Sequence, residues 1–375
     1  MILFKKITKY ILLVILAAAM GLYLWFWAMP VGINNYVNKV SLQLLIRSPE
    51  LLSSLGLIDN TILDFHSGKL GSYDKKSETR DLEFLRISRE GLNRYGPEGL
   101  YGQELLSWKI VAWFFDDIIR QSEFDYGGYR VNQISGVMVN TPQFLTDTHI
   151  INDEKSFQRY LSRLNEFARV IGEVRVRVLD DKDHGVVPPD FIIEKSLLGM
   201  RSFSKDGASD NPLVTTLSKK LDNIVGLTDS KKTQFIDQAT TVVDSAILPK
   251  YAEMIATFED LLKITNHDAG IWRLPDGELL YKNALRSNNS TTLTANEIHE
   301  IGLSEVERIE IEMRTILEGQ GEFDGSLVSR IRGLMELPEH NFDNTNEGRI
   351  QQIEYLNLVN DQLMERITDL SLIHI

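Results

Sequence analysis

The residues that could do chemistry in this chain are few, and their spacing suits none of the common reactions. His299-Glu300 begins like a H-E-x-x-H zinc helix, but position 303 is Leu, so the second ligand one turn later is missing. Asp180, Asp181, Asp183 and His184 crowd into one short stretch and could gather a cation, although a solvated acidic loop accounts for the same residues. G-x-S-x-G, G-x-x-x-x-G-K and G-x-G-x-x-G are all absent. With no cysteine, thiol nucleophiles, disulfides, zinc fingers, iron–sulfur clusters and lipid attachment through a Cys are excluded. What remains is Trp272, Arg273 and Tyr281 around the Pro275-Asp276-Gly277 turn. Two flat rings and a planar guanidinium could wall a substrate cleft and bind a carboxylate. A hairpin tip packed on its own aromatics needs the same residues. Spacing alone therefore names no catalytic residue and no metal ligand.

The elements that must position these groups read as helices. Residues 36–57 carry Val37, Val40, Leu44 and Leu45 on one side. Residues 81–122 are helical in spacing, broken near Tyr95-Gly96-Pro97. Trp108, Trp113, Phe114 and Phe115 make the second half read as a buried core helix. Residues 126–145 are expected to form a loop or short extended segment. From Asp153 a helix begins, with Phe157, Leu161, Leu164, Ala168 and Ile171 at near-3.6 spacing. Pro188-Pro189 introduces another over 190–200, and a long one is expected around 251–265. Thr294 and Glu297 form a capping box for a helix whose stripe is Ile298, Ile301, Val306, Ile309, Met313 and Ile316, ended by Gly319 and Gly321. Two more helices fit 326–336 and 347–369. The expected fold is mainly α, with minor β hairpin segments.

Composition bounds the setting. The 375 residues hold 40 Lys+Arg against 53 Asp+Glu, a net charge of −13, and 43% hydrophobic residues. That is ordinary for a globular chain and far from disorder. The acidic balance argues against nucleic-acid binding, which needs a basic surface to displace counterions. Residues 10–29 contain no charge and follow Lys5, Lys6 and Lys9. At 1.5 Å per residue such a stretch reaches about 30 Å, a hydrocarbon core's thickness. Tyr23, Trp25 and Trp27 gather at its far end, where aromatic rings favour an interface. A cleaved signal peptide would have a shorter apolar region and small residues at its exit, whereas this one leaves through Trp27-Ala28-Met29-Pro30. The reading is an uncleaved transmembrane anchor at 10–29. Residues 1–9 then form a cytoplasmic basic flank, and the body from residue 30 lies across a bacterial inner membrane.

Laid in order, several segments resemble a known family. They are YRVNQISGV (129–137), Pro142, Phe144, His149, FQRYLSRL (157–164), Pro188-Pro189, Asn211-Pro212, GIWRLPDGELLY (270–281) and LTANEIHEIGLSEVERIEIEM (293–313). This order is similar to that of the bacterial domain-of-unknown-function family 885, over roughly residues 50–369. The resemblance implies a multi-helix, zincin-like fold and a zinc-dependent peptidase-like activity. It also implies zinc on a H-E-x-x-P-G-H-type motif, where two His bind the metal and Glu activates its water. That motif is absent here, so the family's ligands map onto no residue of this chain. By the same resemblance, Trp272, Arg273 and Tyr281 would face a peptide substrate.

The ending is unusual. Residues 370–375 read Leu-Ser-Leu-Ile-His-Ile, which CTGTCTCTTATACACATC encodes, a string matching the mosaic end of a transposase-based sequencing adaptor. The expectation is a family domain at 30–369 truncated by an artefact at 370–375, lacking the metal half and inactive alone. The competing expectation is a non-catalytic helical envelope protein that binds or scaffolds.

Overall fold

The computed structural model describes residues 2–27, 30–321 and 324–370. All regular structure among them is helical: there is no strand. Two compact units divide the chain, Met1–Asn289 and Ser290–Ile375. Most of residues 370–375, and Ala28 and Met29 of the expected span, lie outside the described residues.

The first unit opens with α1 (Ile2–Trp27). Its window Ile7–Trp25 is long and apolar enough to cross a membrane, and no part of that window is covered by protein. Then come α2 (Ile33–Arg47), α3 (Pro49–Leu55), α4 (Lys75–Asn93) and α5 (Gly102–Gln121). The break between α4 and α5 falls where Gly96 and Pro97 place it. Helices α2, α4 and α5 share a small core of Ile33, Tyr36, Val40, Leu92, Ala112 and Phe115. Tyr36 donates its hydroxyl to the Ser88 carbonyl at 2.6 Å. A Cβ at Gly91 would collide with that phenol, so glycine is required there. The aromatic run on α5 is only partly core: Phe115 is buried and Trp108 half-buried, whereas Trp113 and Phe114 reach solvent.

The larger core surrounds α7 (Glu154–Asp183). Asp153 caps its start, accepting the Ser156 N–H at 2.7 Å in a reciprocal capping box. Its apolar face, with Phe157, Leu164, Phe167, Ile171 and Val174, packs among α8 (Asp190–Ser204), α9 (Pro212–Asp222), α10 (Asp229–Val242) and α11 (Leu248–Leu262). Each such side chain, fully buried, contributes about 1.5–3 kcal/mol. Helix α6 (Val137–Gln143) continues through a π turn at Phe144–Thr148, and another π turn, Val243–Ile247, joins α10 to α11.

The expected β pieces are absent among the described residues, for local reasons. Asn132 Oδ1 accepts the N–H groups of Ile134 and Ser135 at 2.8 and 2.9 Å, folding residues 129–136 into an Asx turn. Gly136 follows at φ +98°, and α6 begins directly after it. The Pro275-Asp276-Gly277 turn enters a helix, α12 (Gly277–Asn289), because good helix formers from Glu278 to Lys282 follow it.

In the second unit, α13 (Ala295–Gly319) starts at the expected capping box, with Glu297 Oε2 accepting the Thr294 N–H at 2.8 Å. Helices α14 (Leu327–Glu336) and α15 (Asn346–Leu370) follow. The stripe of α13 faces solvent: Ile301, Val306, Ile309 and Ile316 are exposed and only Leu317 is buried.

Candidate functional site

The 270–281 segment is built on a close approach. A 3-10 turn, Ile271–Arg273, folds back so that its Ile271 carbonyl lies against Gly277, where a Cβ would overlap it. The Asp276 carbonyl then accepts the Leu280 N–H at 2.9 Å, starting α12. Trp272 is 80% exposed, its ring lying over Gly270. Arg273 is half-buried, and its Nη1 donates to the Asp268 carbonyl within its own loop. Tyr281 is 47% exposed on the second turn of α12.

The concave surface here is formed by their neighbours. A groove of about 370 Å³ is walled by Ile271, Leu280, Asn283 and Ser287 on one side, and by Gln121 and Phe124 on the other. Trp272, Arg273 and Tyr281 are not in that wall. Leu280 fits because Gly127 has no side chain: a Cβ there would lie 2.6 Å from Leu280 Cδ2. Behind the wall, buried Asp117 accepts from Ser287 Oγ at 2.6 Å and from Gln121 Nε2 at 2.7 Å. The same Gln121 nitrogen donates to Ser287 Oγ at 2.9 Å. Reading the sequence for motifs misses Asp117, Gln121, Asn283 and Ser287. The available signals were two adjacent acids, Asp116 and Asp117, inside the apolar run at 113–119 and polar residues four apart on one helical face.

The metal candidates are drawn into other contacts. Asp181 receives Arg130 Nε at 3.0 Å, and Asp180 receives Arg177 Nη1 at 3.1 Å, within a network that also holds Glu78 and Asp125. His184 stacks on Tyr126 with ring centroids 4.1 Å apart. Asp183 is exposed beside Lys182, and His299 is exposed near the start of α13. Among the described residues no group of three or more His, Asp or Glu is placed to hold a metal ion. The zinc implied by resemblance therefore finds no donor set in these residues.

Two buried histidines lie elsewhere. His66 sits between Asp64 (Nδ1 to Oδ1 3.2 Å) and Asp59 (Nε2 to Oδ2 3.5 Å), with neither ring nitrogen in a well-directed hydrogen bond. Burial opposes ionisation of Asp64, but hydrogen bonds from Ser67 and Asn60 and the charge of Arg159 outweigh it and hold the carboxyl down to about 2. His149 meets Arg163 inside the α7 core, and burial followed by that charge pushes the imidazole down to about 3.

Comparison with known proteins supplies the relationship. No curated protein matches the chain. A "putative lipoprotein" from Colwellia psychrerythraea has a similar structure, with TM-score 0.74 and 21% identity, covering 88% of this chain and 60% of that one. A "putative lipoprotein of unknown function" from Shewanella oneidensis gives TM-score 0.56 and 17% identity, covering 88% and 58%. At these identities the likeness is one of fold, and the chain spans less than two thirds of either protein. The family described as "Bacterial protein of unknown function (DUF885)" matches residues 49–373. That match takes in α3 to α15, and with it the chain belongs to the DUF885 family of bacterial proteins.

Proposed function

We propose that this chain is the membrane-tethered, exported N-terminal portion of a DUF885 protein that, when complete, is a zinc-dependent peptidase-like hydrolase. In this reading residues 10–29 anchor it in the bacterial inner membrane, with the N-terminus cytoplasmic and the body periplasmic. Residues 30–369 supply one substrate-binding wall and no metal, and Trp272, Arg273 and Tyr281 face a peptide substrate beside that wall. Residues 370–375 are adaptor-derived. The solved neighbours are described as lipoproteins, and this chain has no Cys to carry a lipid. An uncleaved α1 would do the same tethering by a polypeptide route.

One observation carries the division of labour. Well-capped α13 leaves an apolar stripe bare, and α15 exposes Ile350, Ile353, Leu356 and Leu363. Bare stripes of this length call for cover. The solved neighbours are longer than the part this chain matches. The residues that cover the stripes are proposed to carry the zinc motif. The test is metal analysis of the complete protein and of residues 30–375 side by side. One zinc per complete chain, with peptide hydrolysis lost to a chelator, is expected, and only background zinc in the shorter piece. Tight stoichiometric zinc in residues 30–375 would contradict it.

The second reading is a non-catalytic envelope binding or scaffold protein, in which a partner protein covers the same bare stripes of α13 and α15. It predicts no zinc in either form.

A further inference from the structure

Helix α5 has an apolar face that no other helix covers at its N-terminal end. Leu106, Ile110 and Trp113 recur there at helical spacing and are exposed, with Phe114 at the margin. From Gly102 to Trp113 that face carries no charge. One turn further along it stands Asp117, which is buried and accepts from Ser287 Oγ of α12 at 2.6 Å. Cover is therefore confined to the C-terminal half of α5.

The uncovered half lies at the root of α1. The Tyr95 hydroxyl donates to the carbonyl of Pro30. Pro30 follows Trp27, the last residue of α1, by no more than about 11 Å of extended chain. Trp108 Nε1 donates to the Leu92 carbonyl at 3.3 Å, one turn before Tyr95. Along the α5 axis, Leu106 and Ile110 are then about 3 Å from the level of Trp108, and Trp113 about 8 Å. Beside them the chain exposes Tyr101 at 82% and Val31, next to Pro30, at 89%.

Resting on the tether reading above, we infer that this face of α5, with Tyr101 and Val31, seats in the interface of the bilayer that α1 crosses. The occupant of the face is phospholipid. Acyl carbons lie against Leu106 and Ile110, and Tyr101 and Trp113, each an apolar ring with a polar tip, sit at the headgroup boundary. Exposed Lys109, at the edge of the face, carries its ammonium to the phosphates on an apolar stem. A single spanning helix leaves the body free to turn about it, whereas this second contact fixes which side faces the membrane.

The chain has no cysteine, so a nitroxide on one introduced Cys reports one place. The full chain is placed in vesicles of phosphatidylethanolamine and phosphatidylglycerol, and labelled separately as Tyr101→Cys, Leu106→Cys and Ile110→Cys. Ala18→Cys, within α1, and Val225→Cys, at an exposed loop position between α9 and α10, are the references. Relaxation of each label is read with dissolved oxygen, which concentrates in lipid, and with a water-soluble nickel chelate, which lipid excludes. Leu106→Cys and Ile110→Cys should meet oxygen as Ala18→Cys does and be protected several-fold from the chelate relative to Val225→Cys, with Tyr101→Cys between the two. Patch labels as open to the chelate as Val225→Cys, while Ala18→Cys is protected, overturn the inference and leave the tether standing. Patch labels shielded from both reagents show a cover of protein, a second copy included, and also overturn it. An Ala18→Cys label open to the chelate overturns the tether and the inference together. Circular dichroism should match the wild type in every variant. If either α5 variant misfolds, Tyr101→Cys, in the loop before α5, decides.

Discussion

Arg163 Nη1 donates to His149 Nδ1 at 2.7 Å, in a place where the arginine is 0% and the histidine 3% exposed. Among the described residues no carboxylate pairs with this guanidinium. It is held by the Lys69 carbonyl at 3.0 Å and Ser53 Oγ at 2.7 Å, so one α7 side chain ties together segments about a hundred residues upstream. Because Nδ1 accepts, the imidazole proton sits on Nε2, which faces the Ser156 carbonyl at 3.4 Å. The histidine is neutral and structural.

A pH dependence follows. His149 is depressed from 6.5 to about 3 by burial and by Arg163, so the unfolded chain takes up a proton that the folded one refuses. This contribution to stability is complete above pH 6.5 and is lost as pH falls from 6.5 towards 3. At pH 5 the loss is roughly 2 kcal/mol. Urea midpoints between pH 7 and 5 should fall steeply for the wild type. His149→Asn should flatten that limb while lowering stability at pH 7. Parallel slopes in the two proteins would contradict the assignment.

Removing the arginine should be worse than removing the histidine. Arg163→Met leaves carbonyls and the Ser53 hydroxyl without their donor in the core, and a loss of about 3–5 kcal/mol is expected in urea unfolding at pH 7. A loss below about 1 kcal/mol would show that water replaces the guanidinium.

Gly277→Ala tests the close approach that starts α12. The added Cβ would overlap the Ile271 carbonyl, so the 3-10 turn must move, at about 1–3 kcal/mol. Faster amide exchange in residues 278–289, with α7 unaffected, is the expected signature. Uniform exchange across both would place the cost elsewhere.

Arg273→Ala separates a binding role from a packing one. Its hydrogen bond is to its own loop, so the thermal midpoint should move little. In the complete protein substrate use should weaken, with KM raised. A sharp drop in midpoint with normal activity per folded molecule would make the residue structural.

Helix starts and breaks were legible because their signals are local. Asp153, the Thr294–Glu297 box and the Gly96-Pro97 break each act within one turn of chain. Groups that depend on distant packing were not. His66 draws meaning from Asp59 and Asp64 only once the chain buries all three, and Arg163 reaches partners 94 and 110 residues away. The 270–281 segment shows the limit most clearly. Its turn was readable, yet the place of Leu280 in the groove depends on the room left by Gly127, about 150 residues upstream. The α13 stripe was readable as a face, and its exposure was not.

A topology test addresses the tether. A reporter fused after Asn34 should be active only when it is one that works outside the cytoplasm. A mature N-terminus mapped near residues 28–32 would show a cleaved signal instead.

The most direct measurement of the central claim is the genomic sequence following codon 369. The account predicts an open frame that departs from the adaptor-like ending and carries a H-E-x-x-P-G-H segment downstream. A genuine stop codon after Ile375, or a continuing frame without such a segment, would contradict it.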